Sequence, residues 1–394
     1  LCPQERLCEG DCVVGFAIWP DTLEQQAPVA IGKLEAFVSD FQRITEGLPM
    51  PELPPPSGHR VGVVGAGPAG LAVAEELAKK GHKVTLFDSW SEPGGVLLYG
   101  IPNFKMQKEI LDDYLEHLWQ LGIEFVGNTY VGRDITIEDL FDQGYAAVFL
   151  GFGASQGNRL DVEGVNLPGV LMATEYLVRG NLSTELLPEW MHDPLPPAER
   201  VLVVGGGDTS MDCVRTAVRL GAKEVTCAYR RTEAEQQGRE EERVHAREEG
   251  VRFEYLAAPL KFEAGPDGKV ARVSFARMEL GEPDESGRRR PVPTGEEFVV
   301  EADTVVVAIG YGTDEQVIQT VKGISTSRAG VAVDPDTFAT SRPGVFAGGD
   351  CVNGADLVVT ALADGRRAAE TIGHYLASMP ASRRSAITGL TPQR

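Results

Sequence analysis

Residues 61–70 read Val-Gly-Val-Val-Gly-Ala-Gly-Pro-Ala-Gly, an apolar run that breaks into three glycines at the spacing G-x-G-x-x-G. Val61 to Val64 predicts a buried strand, and Leu71 to Lys80, closed by Gly81, predicts the helix after it. In such a unit Gly65 makes the tight turn and Gly67 lets a pyrophosphate approach the backbone. Gly70 lets helix pack on strand, so the helix N-terminus faces a dianion. Asp88 lies 23 residues after Gly65, at the end of the next apolar run, where a carboxylate accepts both hydroxyls of an adenosine ribose. Alone, Asp88 is a solvated acid at a strand end. With strand, glycines and helix in register it completes a dinucleotide fingerprint.

The unit recurs. Val201 to Val204 runs into Gly205-Gly206-Gly207-Asp208-Thr209-Ser210 and a helical stretch to Leu220, stopped by Gly221, with the small Ser210 in place of the third glycine. Counting 23 residues from Gly205 reaches Ala228, so the ribose acid is missing, and Tyr229, Arg230 and Arg231 follow. A carboxylate there would repel a 2′-phosphate, whereas guanidinium groups bind one through charge-assisted bonds. The pair therefore points to NADPH over NADH, by about 30- to 1000-fold if the contacts contribute roughly 2 to 4 kcal/mol. The plain alternative is two exposed arginines paired with Glu233 or Glu235.

Further valine-rich runs, Val84 to Phe87, Ala147 to Leu150, Val225 to Ala228 and Val305 to Ile309, alternate with helical patterns. Such alternation implies parallel sheets covered on both faces. Gly94-Gly95 with Tyr99-Gly100-Ile101-Pro102 is a loop that lets a flat ring lie against backbone, although by itself it is only a turn. Val345 to Asp350 takes a buried strand into a glycine turn and an acid, followed by a helix-like stretch from Asp356 to Arg367. In the flavoproteins this segment resembles, the acid approaches the ribityl-pyrophosphate of FAD; the plain alternative for Asp350 is a helix cap.

The fold class is α/β, with two Rossmann-like dinucleotide-binding domains and the NADPH domain inserted in the FAD domain. The expected divisions are a cysteine-rich helical region at 1–48, a proline-rich linker at 49–58, FAD domain at 59–155 and 311–377, NADPH domain at 156–310, and a tail at 378–394. Within the first region Ile31, Leu34, Phe37, Val38 and Phe41 fall on one face of a helix and predict a buried stripe. Residues 279–295 are polar and turn-rich, a hairpin excursion or surface loop.

The 37 basic and 58 acidic side chains leave a formal charge of -21, which repels phosphate backbones and anionic lipid and argues against nucleic-acid and membrane partners. No apolar run approaches the roughly 20 residues of a membrane span, and the start lacks signal-peptide character; the expected location is cytoplasmic. No Cys-x-x-Cys lies in the body of the chain, so a dithiol relay from flavin is not supported; Cys213 and Cys227 read as small buried residues. Cys2, Cys8 and Cys12 have gaps of six and four, not a standard zinc spacing; by spacing alone an iron-sulfur role stays open.

CPQERLCEGDC from Cys2, GAGPAG from Gly65, YGIPNFK from Tyr99, the segment from Gly205 to Arg231 and that from Phe346 to Ala369 together resemble the glutamate synthase small-subunit family of NADPH-dependent FAD iron-sulfur oxidoreductases. That family includes the amino-terminal part of dihydropyrimidine dehydrogenase and the large subunits of NADPH:ferredoxin oxidoreductases. The resemblance implies that NADPH reduces FAD and that electrons leave singly through [4Fe-4S] clusters to a large catalytic subunit or a ferredoxin-type acceptor. It further implies FAD contacts at Gly65, Gly67, Gly70, Asp88, Gly95 and Asp350, and NADPH contacts at Gly205, Gly207, Asp208, Thr209, Arg230 and Arg231. Cys2 and Cys8 would share one cluster, Cys12 would serve its neighbour, and Glu35 stands where relatives carry a glutamine or glutamate able to ligate. Relatives carry another cysteine-rich stretch upstream of Cys2, so the expectation is a chain that opens inside this region with an incomplete ligand set. Gln236-Gln237 replaces the Met-Pro usual after the paired arginines, which changes the loop over NADPH. A nucleotide-binding scaffold without catalysis is the alternative of another class.

Overall fold

The computed structural model describes residues 2–18, 24–283, 287 and 289–379. The first fingerprint strand, Arg60–Val64, is central in a five-stranded parallel sheet ordered Val345–Ala347, Tyr145–Leu150, Arg60–Val64, Lys83–Phe87, Glu124–Val126. Its valines are buried on both faces, as a parallel strand under helices requires. The following helix, Pro68–Lys79, starts with Gly67 as its cap and proline at its first position, where the missing N–H costs nothing. It is covered by the long helix Val358–Ala377: a Cβ on Gly365 would stand 2.4 Å from the carbonyl oxygen of Ala69, so only glycine permits that approach. The run expected to be helical from Asp356 to Arg367 begins two residues later and continues to Ala377.

A second parallel sheet is ordered Val170–Met172, Thr304–Val307, Arg200–Val204, Glu224–Tyr229, Arg252–Tyr255. All of its strands lie, in sequence, between the fourth and last strands of the first sheet. Where the chain leaves the first sheet and returns, Gln156–Gly157 pairs antiparallel with Tyr311–Gly312. Against the second sheet packs a three-stranded antiparallel sheet, Ala257–Ala264, Val270–Pro283 and Arg289–Glu301, whose Phe262 and Phe275 are buried and whose Phe275 stacks on Phe298 at 5.4 Å. The polar excursion at 279–295 is the far end of this hairpin; residues 284–286 and 288 lie outside the described residues, as do residues 380–394 of the expected tail.

The helix near the start forms as Ile31–Thr45, but its stripe is not buried. No residue of it is buried among the described residues, and Phe37, Val38 and Phe41 are each about 60% exposed or more. Helical spacing reports that apolar side chains share a face; it does not report that anything covers them. No helix among the described residues is long and apolar enough to cross a membrane.

Candidate functional site

Gly65 has φ +99°, and a Cβ on it would lie 2.4 Å from the Gly151 carbonyl oxygen, so the tight turn demands glycine. A Cβ on Gly70 would stand 1.9 Å from the Gly65 oxygen, which makes this glycine the close contact of helix on strand. Gly67 differs: a Cβ there would meet only the Gly95 Cα, at 3.8 Å. The space before it suits a ligand drawn close to the backbone, at a helix start whose first-turn N–H groups lack helical partners.

Gly94-Gly95 folds onto this turn. The Gly94 N–H donates to the Ala66 carbonyl at 2.8 Å, and Gly95, at φ +53°, brings its Cα so near Gly67 that a Cβ would be 2.7 Å away. Lys108, which sequence reasoning missed, fixes the rest of the loop by donating to the carbonyls of Leu97 and Ile101, both at 2.6 Å; burial pushes its pKa down to about 8. Tyr99 stacks on Trp90 at 4.1 Å.

Asp88 accepts from the Ala66 N–H at 2.7 Å and the Trp90 N–H at 3.0 Å, and Ser89 also bonds its carboxylate. Burial pushes its pKa up, against the lowering effect of these N–H groups. The carboxylate shapes the turn and, as an acceptor-only group, is of the kind that receives ribose hydroxyls. From the opposite side comes Gly349-Asp350, with Gly349 at φ +75° beside Ala69. Burial pushes Asp350 up to about 6, with Asp356 and Asp364 adding like charge. Asp364, another residue not foreseen, accepts from the Gly349 N–H at 3.0 Å and Asn353 at 2.8 Å and so holds that turn. These residues fit FAD: open backbone at a helix start, a ribose acid, a flat loop and an acid beyond it.

The second turn repeats the first with a different cover. Gly205, at φ +152°, would set a Cβ 2.1 Å from the Ala308 oxygen, while a Cβ on Gly207 would meet nothing within 4 Å. Ser210 is buried and donates to the Ala308 carbonyl at 3.3 Å. Asp208 opens the helix Asp208–Arg219, and its carboxylate accepts the Arg239 N–H at 2.8 Å; Thr209 follows half-buried. The Gly238 N–H donates to the Gly206 carbonyl at 2.9 Å. Residues 236–239 thus lie across the glycine turn, and Asp208 holds them there.

At the end of the next strand Arg230 is exposed and Arg231 is buried, 7% exposed. Arg231 Nε finds no hydrogen-bond acceptor among the described residues. The carboxylates that would neutralise the pair are used elsewhere: Glu233 binds Arg247 at 2.6 Å, and Glu235 closes a capping box with Thr232. A buried guanidinium without a carboxylate is suited to an incoming anion.

The two units are joined by contacts that sequence patterning did not reveal. Lys105, from the Tyr99 loop, lies 2.8 Å from Asp212 on the second unit's helix and 3.6 Å from Glu242. Its neighbour Phe104 lies under the guanidinium groups of Arg219, at 3.9 Å, and Arg215, at 4.7 Å. Burial pushes Asp212 up to about 6, and the Lys105 ammonium opposes that.

The cysteine segment meets the second unit through Glu5, which receives Arg239 Nε at 2.7 Å and Nη2 at 2.8 Å, and through Arg6, which donates to the Gln237 carbonyl. Cys2, Cys8 and Cys12 are half-buried free thiols. Backbone N–H groups of Val29 and Gly15 lower the Cys12 pKa. Glu35 is exposed on its helix. No three His, Cys, Asp or Glu side chains among the described residues converge enough to hold a metal ion, so Cys2, Cys8 and Glu35 are not gathered into the expected set. The residues present do not fit a [4Fe-4S] cluster, which needs four ligands.

Residues 59–365 match the family described as pyridine nucleotide-disulphide oxidoreductase. The NADPH glutamate synthase small chain of Escherichia coli (strain K12) is 42% identical over 383 residues, covering 95% of this chain and 79% of that one. The corresponding small chain of Halomonas elongata is 41% identical over 387 residues, with coverage of 95% and 79%. Among solved structures, Mycobacterium tuberculosis FprA in complex with NADPH superposes with a TM-score of 0.68 at 18% identity, over 84% of this chain and 90% of that one, a likeness of fold.

Proposed function

The chain belongs to the glutamate synthase small-chain family of pyridine nucleotide-disulphide oxidoreductases, and from that premise we propose that it oxidises NADPH with FAD as the small subunit of an NADPH-dependent glutamate synthase. One observation carries the assignment of the two nucleotides: the matching glycine turns end in opposite charge, Asp88 at the first and Arg230-Arg231 at the second. On this reading residues 156–310 hold NADPH, and the segments on either side hold FAD.

When bound, the flavin supplies the redox chemistry by accepting hydride from the nicotinamide. The chain's own residues bind and orient. Gly65, Gly67 and Gly70 present the helix start to the FAD pyrophosphate, Asp88 takes the ribose, and Gly95 and Asp350 border the ring and ribityl chain. Gly205 and Gly207 do the same for the NADPH pyrophosphate, Asp208 holds the covering loop, Thr209 lines the helix start, and Arg230 and Arg231 take the 2′-phosphate. Lys105 and Phe104 hold one unit against the other, which restricts how the two rings meet. The names of the relatives support a larger partner subunit as the electron acceptor. Among the described residues, Cys2, Cys8, Cys12 and Glu35 do not assemble a ligand set for an iron-sulfur cluster.

Anaerobic titration of the FAD-loaded protein tests the reading. NADPH bleaches the flavin band at about 450 nm at far lower concentration than NADH does. A flavin that stays oxidised with NADPH would instead favour the non-catalytic scaffold.

A further inference from the structure

Among the described residues, three buried side-chain nitrogens within one stretch of chain, Arg231 Nε, Gln236 Nε2 and Arg243 Nε, lack a hydrogen-bond partner. All three are donors. A buried donor left without an acceptor is costly, more so when charged, so three spread from the end of the strand Glu224–Tyr229 into the helix Glu240–Glu248 call for an explanation.

Tyr255 Oη receives Arg247 Nη2 at 3.2 Å, so its own proton is directed to Gln236 Oε1, 3.0 Å away. With that oxygen identified as the acceptor, the Gln236 amide must turn its N–H pair the other way, without a partner. Gln236 is 6% exposed and therefore cannot satisfy that pair with bulk water as a surface amide would. Arg243 Nη1 holds the loop by donating to the carbonyls of Gln236 and Gly238. Its Nε is 4.0 Å from Glu233, too far for a hydrogen bond, and Glu233 is already bound by Arg247 at 2.6 Å. The same loop crosses the second glycine turn through the Gly238 bond to Gly206.

We propose that Arg231, Gln236 and Arg243 form one seat for a phosphomonoester, the 2′-phosphate of NADPH, and that Gln236 and Arg243 are specificity determinants beyond the arginine pair. The three oxygens of such a group offer one acceptor to each of these donors, two of which are guanidinium nitrogens. This rests on the assignment of the second cradle to NADPH.

Calorimetric binding of 2′,5′-ADP and of 5′-AMP to the FAD-loaded protein separates the two claims, because the ligands differ only in the phosphate at issue. In the unaltered protein 2′,5′-ADP binds tighter; equal affinity for both would refute the NADPH assignment and the seat with it. Gln236→Met weakens 2′,5′-ADP about ten-fold and leaves 5′-AMP unchanged, as expected for one donor to a charged group. Arg243→Met, checked for an unaltered thermal midpoint, shows the same selective loss. If the arginine pair alone sets the preference, Gln236→Met leaves 2′,5′-ADP binding intact. If the variant weakens both ligands equally, Gln236 only shapes the loop; either outcome overturns the proposal.

Discussion

The two glycine turns are near copies in backbone and opposites in what surrounds them. In both, the first glycine has a positive φ and no room for a Cβ, and the third-from-first position has open space before it. The first turn faces other glycines, Gly95 and Gly349, and ends in a carboxylate whose oxygens receive backbone N–H groups. The second lies under residues 236–239, tolerates Ser210 where the first needs Gly70, and ends in a buried arginine with an unbonded Nε. Helix starts and glycines provide generic affinity for a pyrophosphate; the residues after the second strand, and whatever covers the turn, decide which dinucleotide stays.

Removing the charge contrast has the largest expected effect. Arg230→Ala with Arg231→Ala lowers the preference for NADPH over NADH by about 30- to 1000-fold, chiefly through NADPH. Steady-state constants for both coenzymes measure it. A preference that survives in the double variant would move the 2′-phosphate away from this strand end.

The open glycines sharpen the comparison from the side of shape. A Cβ fits at Gly67 and at Gly207 in the ligand-free protein, so Gly67→Val and Gly207→Val should both fold. Each blocks only its own cradle. Gly67→Val loses FAD and Gly207→Val keeps its flavin but weakens NADPH, each by about 10- to 100-fold, the range expected for forcing extra methyl groups into a close contact. Flavin released on acid precipitation and NADPH titration report the two. Full flavin content in Gly67→Val would show that the pyrophosphate lies elsewhere.

Much of this contrast was legible in the chain because it is local. The strands at Val61, Val84, Val201 and Val225 and the glycines after them are contiguous signals, and the expected strands differ from the observed ones by a residue or two at their ends. Contacts between distant segments were not legible. Lys105 reaches Asp212 and Asp364 holds Gly349 only once the sheets are assembled, and a lysine or aspartate in a helix or loop carries no sign of such a partner. Gln236 stood out only as a departure from a family pattern; its unbonded amide is visible in three dimensions alone. The Ile31–Thr45 helix shows the converse, a correct element with the wrong environment.

The smallest expected effect concerns Asp350, the acid beside the first cradle, whereas the acid at the second, Asp208, accepts the Arg239 N–H. The Asp350 carboxyl is pushed from the ordinary 3.8 up to about 6, mainly by burial. Between these values the folded protein holds a proton that the unfolded chain has released, so stability falls as pH rises through this window and the loss is complete above about pH 6. Two pKa units correspond to nearly 3 kcal/mol; with part of the group reaching water, about 1 kcal/mol is the reasonable expectation. Asn cannot ionise, so the flavin-free Asp350→Asn protein should match the unaltered one at about pH 4 and exceed it by about 1 kcal/mol at pH 8. Urea unfolding at the two pH values measures the difference, and Asp350→Ala separates stability from binding, since it should strip FAD by losing the polar contact. If Asp350→Asn is no more stable at pH 8 than at pH 4 relative to the unaltered chain, the acid does not carry a buried charge at neutral pH, and the asymmetry between the cradles reduces to the ribose end alone.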